Sequence, residues 1–403
     1  MTANIHPTTV AQPRRYFVNA PVDFALIGGL SILAFLGLRY FTDASHRGAV
    51  SAFALVGMWV CNWPHFAATN YRLYHTRANI RQYPMTALVV PWLIVVAVAA
   101  AILYPTTAAP YFVKVFLIWS PYHFSAQSVG VTLIYARRNG FHVGRWDRLA
   151  LSTFIFSTFI SQTLRAETNP ERFGSYFGIP TPSFGLPTWA IDVTTTAMWI
   201  AGALFMVRVL IWSYQNRRLL SGMVLLPAVT QYVWFVHSAG AAGYQELVPF
   251  FHSLQYMFIA WCMQLKEKQD VRKIAPSRRY VALETGRWGL MIFGLGAVLF
   301  FLLPRAIDSM FTLPGPNSLF FASGIIAAGV QIHHFFVDGV IWKLKNKAVS
   351  SPLMINVSDL VHPSAPSGQP GSEAAAAPTP GSRSAASKPA ASAKRRSGKK
   401  RRS

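Results

Sequence analysis

The chain reads as an all-α protein, a polytopic bundle of transmembrane helices, and three observations predict it. Hydrophobic residues fill 52% of the 403 positions and charged residues 13%, against roughly 25% charged in a soluble domain. Apolar runs recur near the length of about 20 residues that a helix needs to cross the hydrocarbon core. Lys and Arg gather in alternate connections between those runs, the pattern that orients helical membrane proteins.

About ten spans follow, at approximately 20–40, 48–70, 84–104, 111–136, 146–164, 188–213, 221–241, 246–265, 286–304 and 318–342. Ser and Thr interrupt the fifth, where a buried helix can use them as interhelical bonding groups. The runs are too long and too continuously apolar for the short alternating strands of a transmembrane β-barrel. Counting Arg148 and Arg287 in the first residues of the fifth and ninth spans, the leader, the connections after even-numbered spans and the tail carry 30 Lys and Arg. The opposite connections carry four, Arg47, Arg165, Arg172 and Arg305. A missed or invented span would break that alternation partway along the chain. Both termini are therefore expected in the cytoplasm, and the protein in a bacterial-type inner membrane as a multi-pass protein. The first run begins near Pro21 behind a polar leader with Arg14 and Arg15, without the pattern of a cleavable signal peptide.

The expected organisation is a cytoplasmic leader over 1–19, a helical membrane domain over 20–345 and a disordered tail over 346–403. The tail is rich in Ala, Pro, Ser and Gly and ends in a basic run from Lys394 to Arg402, a composition that cannot bury enough apolar surface to fold. Most of the formal net charge of +23 is then orientation charge, and no specific nucleic-acid partner is implied. The tail's basic residues are expected near anionic lipid headgroups, each contributing about 1 kcal/mol, with a ribosome or nucleic-acid contact as the alternative. The outer loop 165–187, with Pro170, Pro180, Pro182 and Pro187, is either a lid or plain connection. Cys61 and Cys262 each lie within a span, which argues against a disulfide framework.

Histidines lie deep in several apolar runs. Three follow prolines, in Trp63-Pro64-His65-Phe66, Pro121-Tyr122-His123-Phe124 and Pro249-Phe250-Phe251-His252, and a fourth run carries His333-His334-Phe335-Phe336-Val337-Asp338. Polar side chains at membrane depth usually face a bundle interior and mark a functional path. A proline removes a helical hydrogen bond and can open a local cavity. Spaced three or four residues from the histidines, on the same helical faces, are Asn62, Thr69, Gln127, Gln255 and Asp338. Such groups can fix the tautomer of a metal-bound imidazole. The expected metal ligands are thus drawn from His65, His123, His252, His333, His334 and Asp338, with Asn62, Gln127 and Gln255 behind them. The competing reading is that each histidine only bonds a neighbouring helix. His237 lies at a different depth, and His6, His46, His142 and His362 are in polar segments. No HxxxH or HxxHH box is present. A nearly all-imidazole set suits iron, copper or zinc better than magnesium or calcium, and two facing histidines could instead hold a b-type haem.

In general layout the helical region resembles the bacterial polytopic membrane oxygenases that present single histidines from separate helices to iron, such as the Brp/Blh family. The resemblance implies an iron-dependent oxidoreductase acting on a hydrophobic substrate drawn from the bilayer, and it assigns no residue. A transporter with a histidine-lined central site between proline-broken helices is the alternative from a different class. Aromatic residues near the histidines, among them Trp59, Trp63, Trp119, Tyr122, Tyr232, Trp234, Tyr256 and Trp261, either pack and anchor the spans or wall a pocket for a flat or polyene-like ligand.

Overall fold

A computed structural model describes residues 15–168, 174–314, 317–343 and 347–362. Helices predominate and occupy the apolar stretches expected from sequence: α1 (Ala20–Phe41), α2 (47–74), the short α3 (Arg77–Gln82), α4 (Met85–Leu103), α5 (Ala108–Arg138), α6 (Arg145–Glu167), α7 (Trp189–Gln215), α8 (226–237), α9 (Tyr244–Arg272), α10 (Arg278–Met310) and α11 (Ser318–Ile341). Five of them, α1, α4, α7, α10 and α11, are long and apolar enough to cross a membrane. Helices α2, α5 and α9 are more polar, and their polar residues include the buried His65, Thr69, His123, Ser125, Ser128, His252, Ser253 and Gln255. These three helices and α11 pack together around the histidines. A helix shielded from lipid by its neighbours can carry such groups.

Three helices solve the same proline problem in the same way. A proline within a helix has no N–H for the carbonyl four residues back, and its ring collides with that carbonyl. Pro64, Pro91 and Pro304 are each preceded by a widened five-residue π-helical turn, at Met58–Asn62, Met85–Val89 and Val298–Leu302. In each, the N–H before the proline reaches five residues back, from Trp63 to Met58, Val90 to Met85 and Leu303 to Val298. The carbonyl that Pro91 leaves unbonded belongs to Ala87, and the Tyr74 hydroxyl donates to it at 3.0 Å. Pro121 and Pro249 sit inside α5 and α9 without such a turn. A further wide turn at Ala25–Gly29 frees the carbonyl of Ile27, which accepts from Gln255 Nε2 at 2.6 Å. There Gly28 lies so close to Thr230 that an added Cβ would stand 2.1 Å from its hydroxyl.

The loop 165–187 contributes the only strands among the described residues. β1 (Gly174–Tyr176) and β2 (Ile179–Thr181) pair antiparallel, with Tyr176 opposite Ile179. The two-residue turn between them needs positive φ at both positions, and Phe177 and Gly178 adopt φ of 52° and 75°. The buried Ile179 joins a cluster with Val113, Phe116, Phe321 and Ile325, so the hairpin is anchored on α5 and α11. Beside it Lys114 and Glu167 form a buried ion pair, and Glu167 Oε2 also accepts from the Phe184 N–H at 3.0 Å.

Residues after α11 do not all belong to a solvated tail. Leu353, Ile355 and Leu360 are buried, the last two against Leu265 of α9. Arg138, at the end of α5, donates to the carbonyls of Tyr16, Leu353 and Ile355 at 3.0, 2.6 and 2.7 Å, and its guanidinium lies 3.8 Å over the Phe17 ring. Asp23 accepts from the N–H groups of Phe17 and Val18 and from the Tyr135 hydroxyl. Asn356 donates to the carbonyls of Tyr16 and Val18, tying leader to return segment. The folded region thus runs past the expected boundary at 346, because apolar side chains recur from 349 to 361 and Val349, Leu353, Ile355 and Leu360 among them are buried. The basic run from Lys394 lies outside the described residues.

Candidate metal centre

Four histidines from four helices meet in the bundle interior. His65 of α2, His123 of α5, His252 of α9 and His334 of α11 each offer a ring nitrogen, and the four nitrogens all lie within 4.8 Å of one another. His65 and His334 are fully buried, His252 and His123 nearly so. Ring centroids stand 4.5 Å apart for His65–His334, 4.6 Å for His123–His334, 5.1 Å for His123–His252 and 5.2 Å for His65–His252. This group could hold a metal ion.

The hydrogen-bond inventory decides which atoms are available. His65 Nδ1 bonds Ser253 Oγ at 2.9 Å, leaving Nε2 directed elsewhere. Among the described residues, His65 Nε2, both ring nitrogens of His252 and His334 Nδ1 are buried without a partner. Leaving one buried polar atom unbonded costs about 1–3 kcal/mol, so the unbonded nitrogens of His65 and His252, on rings packed together, are unfavourable unless the two share a ligand. His123 Nε2 and His334 Nε2 are 3.0 Å apart. Asp338 Oδ2 lies 3.5 Å from the second and 3.7 Å from the first. The point equidistant from these three atoms is about 2.0 Å from each, the length of a metal–imidazole or metal–carboxylate bond.

Asp338 is held in place from its other oxygen. Oδ1 accepts from the Thr69 hydroxyl at 3.2 Å and the Tyr256 hydroxyl at 3.4 Å, while the Trp342 indole N–H donates to the Tyr256 oxygen at 3.3 Å. Beyond Trp342, Arg72 stacks on the indole and makes a two-pronged ion pair with Glu267 at 2.8 and 3.2 Å. The rings also have apolar walls. Phe124 stacks on His252, Phe335 on His123 and Phe66 on His65, at 4.0, 4.8 and 4.9 Å.

Of the residues singled out from sequence, His333 points away from the group. It precedes His334 and so lies about 100° from it around the helix, and Tyr74 takes its Nε2 at 3.3 Å. Since the Tyr74 proton goes to the Ala87 carbonyl, His333 Nε2 must be the donor, and that nitrogen has no lone pair for a metal. Gln127 and Gln255 do not bond imidazoles. Gln127 Nε2 donates to Gln255 Oε1 at 2.8 Å and to the backbone carbonyl of His252 at 3.1 Å, so the pair braces α5 against α9. Asn62 is buried with its carbonyl oxygen unbonded among the described residues. The imidazole partner that sequence spacing missed is Ser253, which reaches His65 across helices; spacing along one helix carries no signal for it. His237 packs on Tyr232 and Phe35, and His46 pairs with Asp43, both away from the group. No known family, curated protein or solved structure matches the chain, so the site is characterised by its own geometry.

Proposed function

We propose that the protein is a multi-pass membrane oxidoreductase with a metal ion held by His65, His123, His252 and His334, acting on a hydrophobic substrate. The observation that carries the reading is the convergence of four buried imidazoles from four helices, with unbonded nitrogens among them. Asp338, whose Oδ2 lies 3.5 and 3.7 Å from the Nε2 atoms of His334 and His123, is a fifth ligand. Imidazoles with one carboxylate favour iron, copper or zinc, and we take iron as the occupant because a five- or six-coordinate ion would keep a position open beside four imidazoles. A haem would require a flat macrocycle between two imidazoles, whereas here each ring contacts its neighbours.

A redox-active ion in this position would supply one-electron or dioxygen chemistry in a site sheltered from water. The chain's own contribution is ligand geometry. Ser253 fixes the His65 ring, Thr69 and Tyr256 fix Asp338, and Phe66, Phe124 and Phe335 exclude water from the ring faces. The 30-to-4 distribution of Lys and Arg supports cytoplasmic termini in an inner membrane with ten crossings.

The test of the redox assignment is to purify the protein in detergent without chelator and record absorption and electron paramagnetic resonance spectra before and after dithionite. A metal-centred signal that changes on reduction and disappears in His252→Ala is expected. Stoichiometric zinc, with spectra indifferent to reductant, would contradict the oxidoreductase assignment while leaving the metal centre standing.

A further inference from the structure

About a quarter turn around α11 from His334, on the side of His333, lies an apolar groove of about 570 Å³, within the size range of small-molecule sites. Three helices apolar enough to cross a membrane supply most of its wall: α4 from Pro91 to Leu103, α10 through Leu299, Leu303 and Ile307, and α11 through Ile326, Gly329 and Val330. From Pro91 to Leu103 the groove extends about 18 Å at 1.5 Å per residue. Its polar side chains are Asn70, Tyr74 and His333, and no charged residue lines it. The Tyr74 hydroxyl is bonded to Ala87, four residues before Pro91, which places these groups at the Pro91 end. The groove is therefore long, apolar and polar at one end only.

We infer that this groove takes the hydrocarbon chain of a single-chain amphiphile whose hydroxyl meets Asn70 and Tyr74, donating to the lone pair that the Tyr74 oxygen keeps beside its bonds to Ala87 and His333; as a substrate site the inference rests on the metal-centre reading above. A charged headgroup is disfavoured because nothing in the lining would pair it, and desolvating an unpaired charge is costly. A bilayer delivers such a molecule sideways between spans. The groove also has a route to the imidazoles. Phe66 packs in one apolar cluster with Phe300, Ala327 and the groove residues Leu299 and Val330. The same ring lies 4.9 Å from both His65 and His334. Phe66 is thus the partition between bound chain and metal centre, and its rotation would expose one to the other.

The experiment uses the full chain in nanodiscs and a long-chain primary alcohol carrying a mid-chain diazirine, with adducts mapped by mass spectrometry. Labelling should saturate, be displaced by the unlabelled alcohol, and map to 94–103, 299–307 and 326–330. Ala99→Phe, which fills the groove from its wall, should reduce that labelling at least tenfold with metal content unchanged. Leu93→Phe, on an exposed position of α4 outside the groove, should leave it intact. Non-saturable labelling spread over exposed positions such as Leu88, Trp92 and Leu93, and equal in both variants, would overturn the inference. Saturable groove labelling in a protein that holds no metal would leave the groove standing and remove the metal-centre reading instead.

Discussion

The Nε2 atoms of His123 and His334 lie 3.0 Å apart, although 211 residues separate them in the chain. Two imidazole nitrogens at that distance share either a proton or a cation. A spacing of 3.0 Å fits an N–H···N bond and lies near the roughly 3.3 Å between ligand nitrogens around one tetrahedral ion with bonds of about 2.0 Å; the unbonded ring nitrogens of His65 and His252 beside the pair are what favours the cation. The Asp338 carboxylate within 3.7 Å of both completes a triangle of the right size.

Metal binding to the folded state should stabilise it by mass action. A chelator that strips the wild-type protein is expected to lower its melting temperature in detergent, and to leave His123→Ala, His334→Ala and the double variant unaffected. The three variants should resemble one another, since either loss breaks the same centre. Differential scanning fluorimetry with and without chelator checks this, and a chelator effect that persists in the double variant would point to a different site.

Ser253→Ala removes the bond that orients His65. Loss of such an orienting partner commonly lowers metal affinity about 10–100-fold, and a competition titration against a coloured chelator should find a drop in that range. Gln127→Ala should behave oppositely, reducing thermal stability through the lost brace to Gln255 and the His252 carbonyl while affinity changes little. His333→Ala should keep its metal, because that ring is engaged by Tyr74.

Arg138 gathers leader and return segment onto the end of α5 through three carbonyls. Hydrogen bonds to charged groups contribute about 1.5–3 kcal/mol each, and removing the donor also strands its buried acceptors. Arg138→Ala should therefore destabilise the protein by about 3 kcal/mol or more, and truncation after Lys343 should cost a similar amount. Truncation after His362 should leave the melting temperature nearly unchanged. Thermal unfolding of the three variants separates a docked return segment from a dispensable one.

Reporter fusions test the orientation. Fusions after residues 43 and 175 are expected to report the periplasm, and fusions after residues 79, 141 and 275 the cytoplasm. A cytoplasmic signal at residue 175 would mean that α6 or an earlier helix does not cross.

The helices were legible because apolar runs of that length leave few alternatives, and the four converging histidines because a buried imidazole on an apolar run is conspicuous. Depth was harder to read. The expected spans ending at 70, 136 and 265 leave His65 five residues from its span end and His123 and His252 thirteen from theirs, but α2 continues to Tyr74 and α9 to Arg272. Helices that project past the bilayer make their ends poor rulers. The adjacent pair His333-His334 could not both face one point, since neighbours on a helix diverge by about 100°; only the fold chooses between them. Ser253 and the partition ring of Phe66 act across helices, and such contacts leave no trace in spacing along the chain. The packing of Leu353, Ile355 and Leu360 was missed because this short apolar stretch was read together with the Ala-, Pro- and Ser-rich residues that follow it.

Metal content bears most directly on the central claim. The full-length protein and single alanine variants of His65, His123, His252, His334 and His142 should be purified without chelator and analysed by inductively coupled plasma mass spectrometry. About one iron, copper or zinc ion per chain is expected in wild type and in His142→Ala, with most of it lost in each of the other four variants that remain folded. No transition metal in the wild type, after growth and repurification with added iron, copper and zinc, would contradict the account and leave the four imidazoles as bonds between helices.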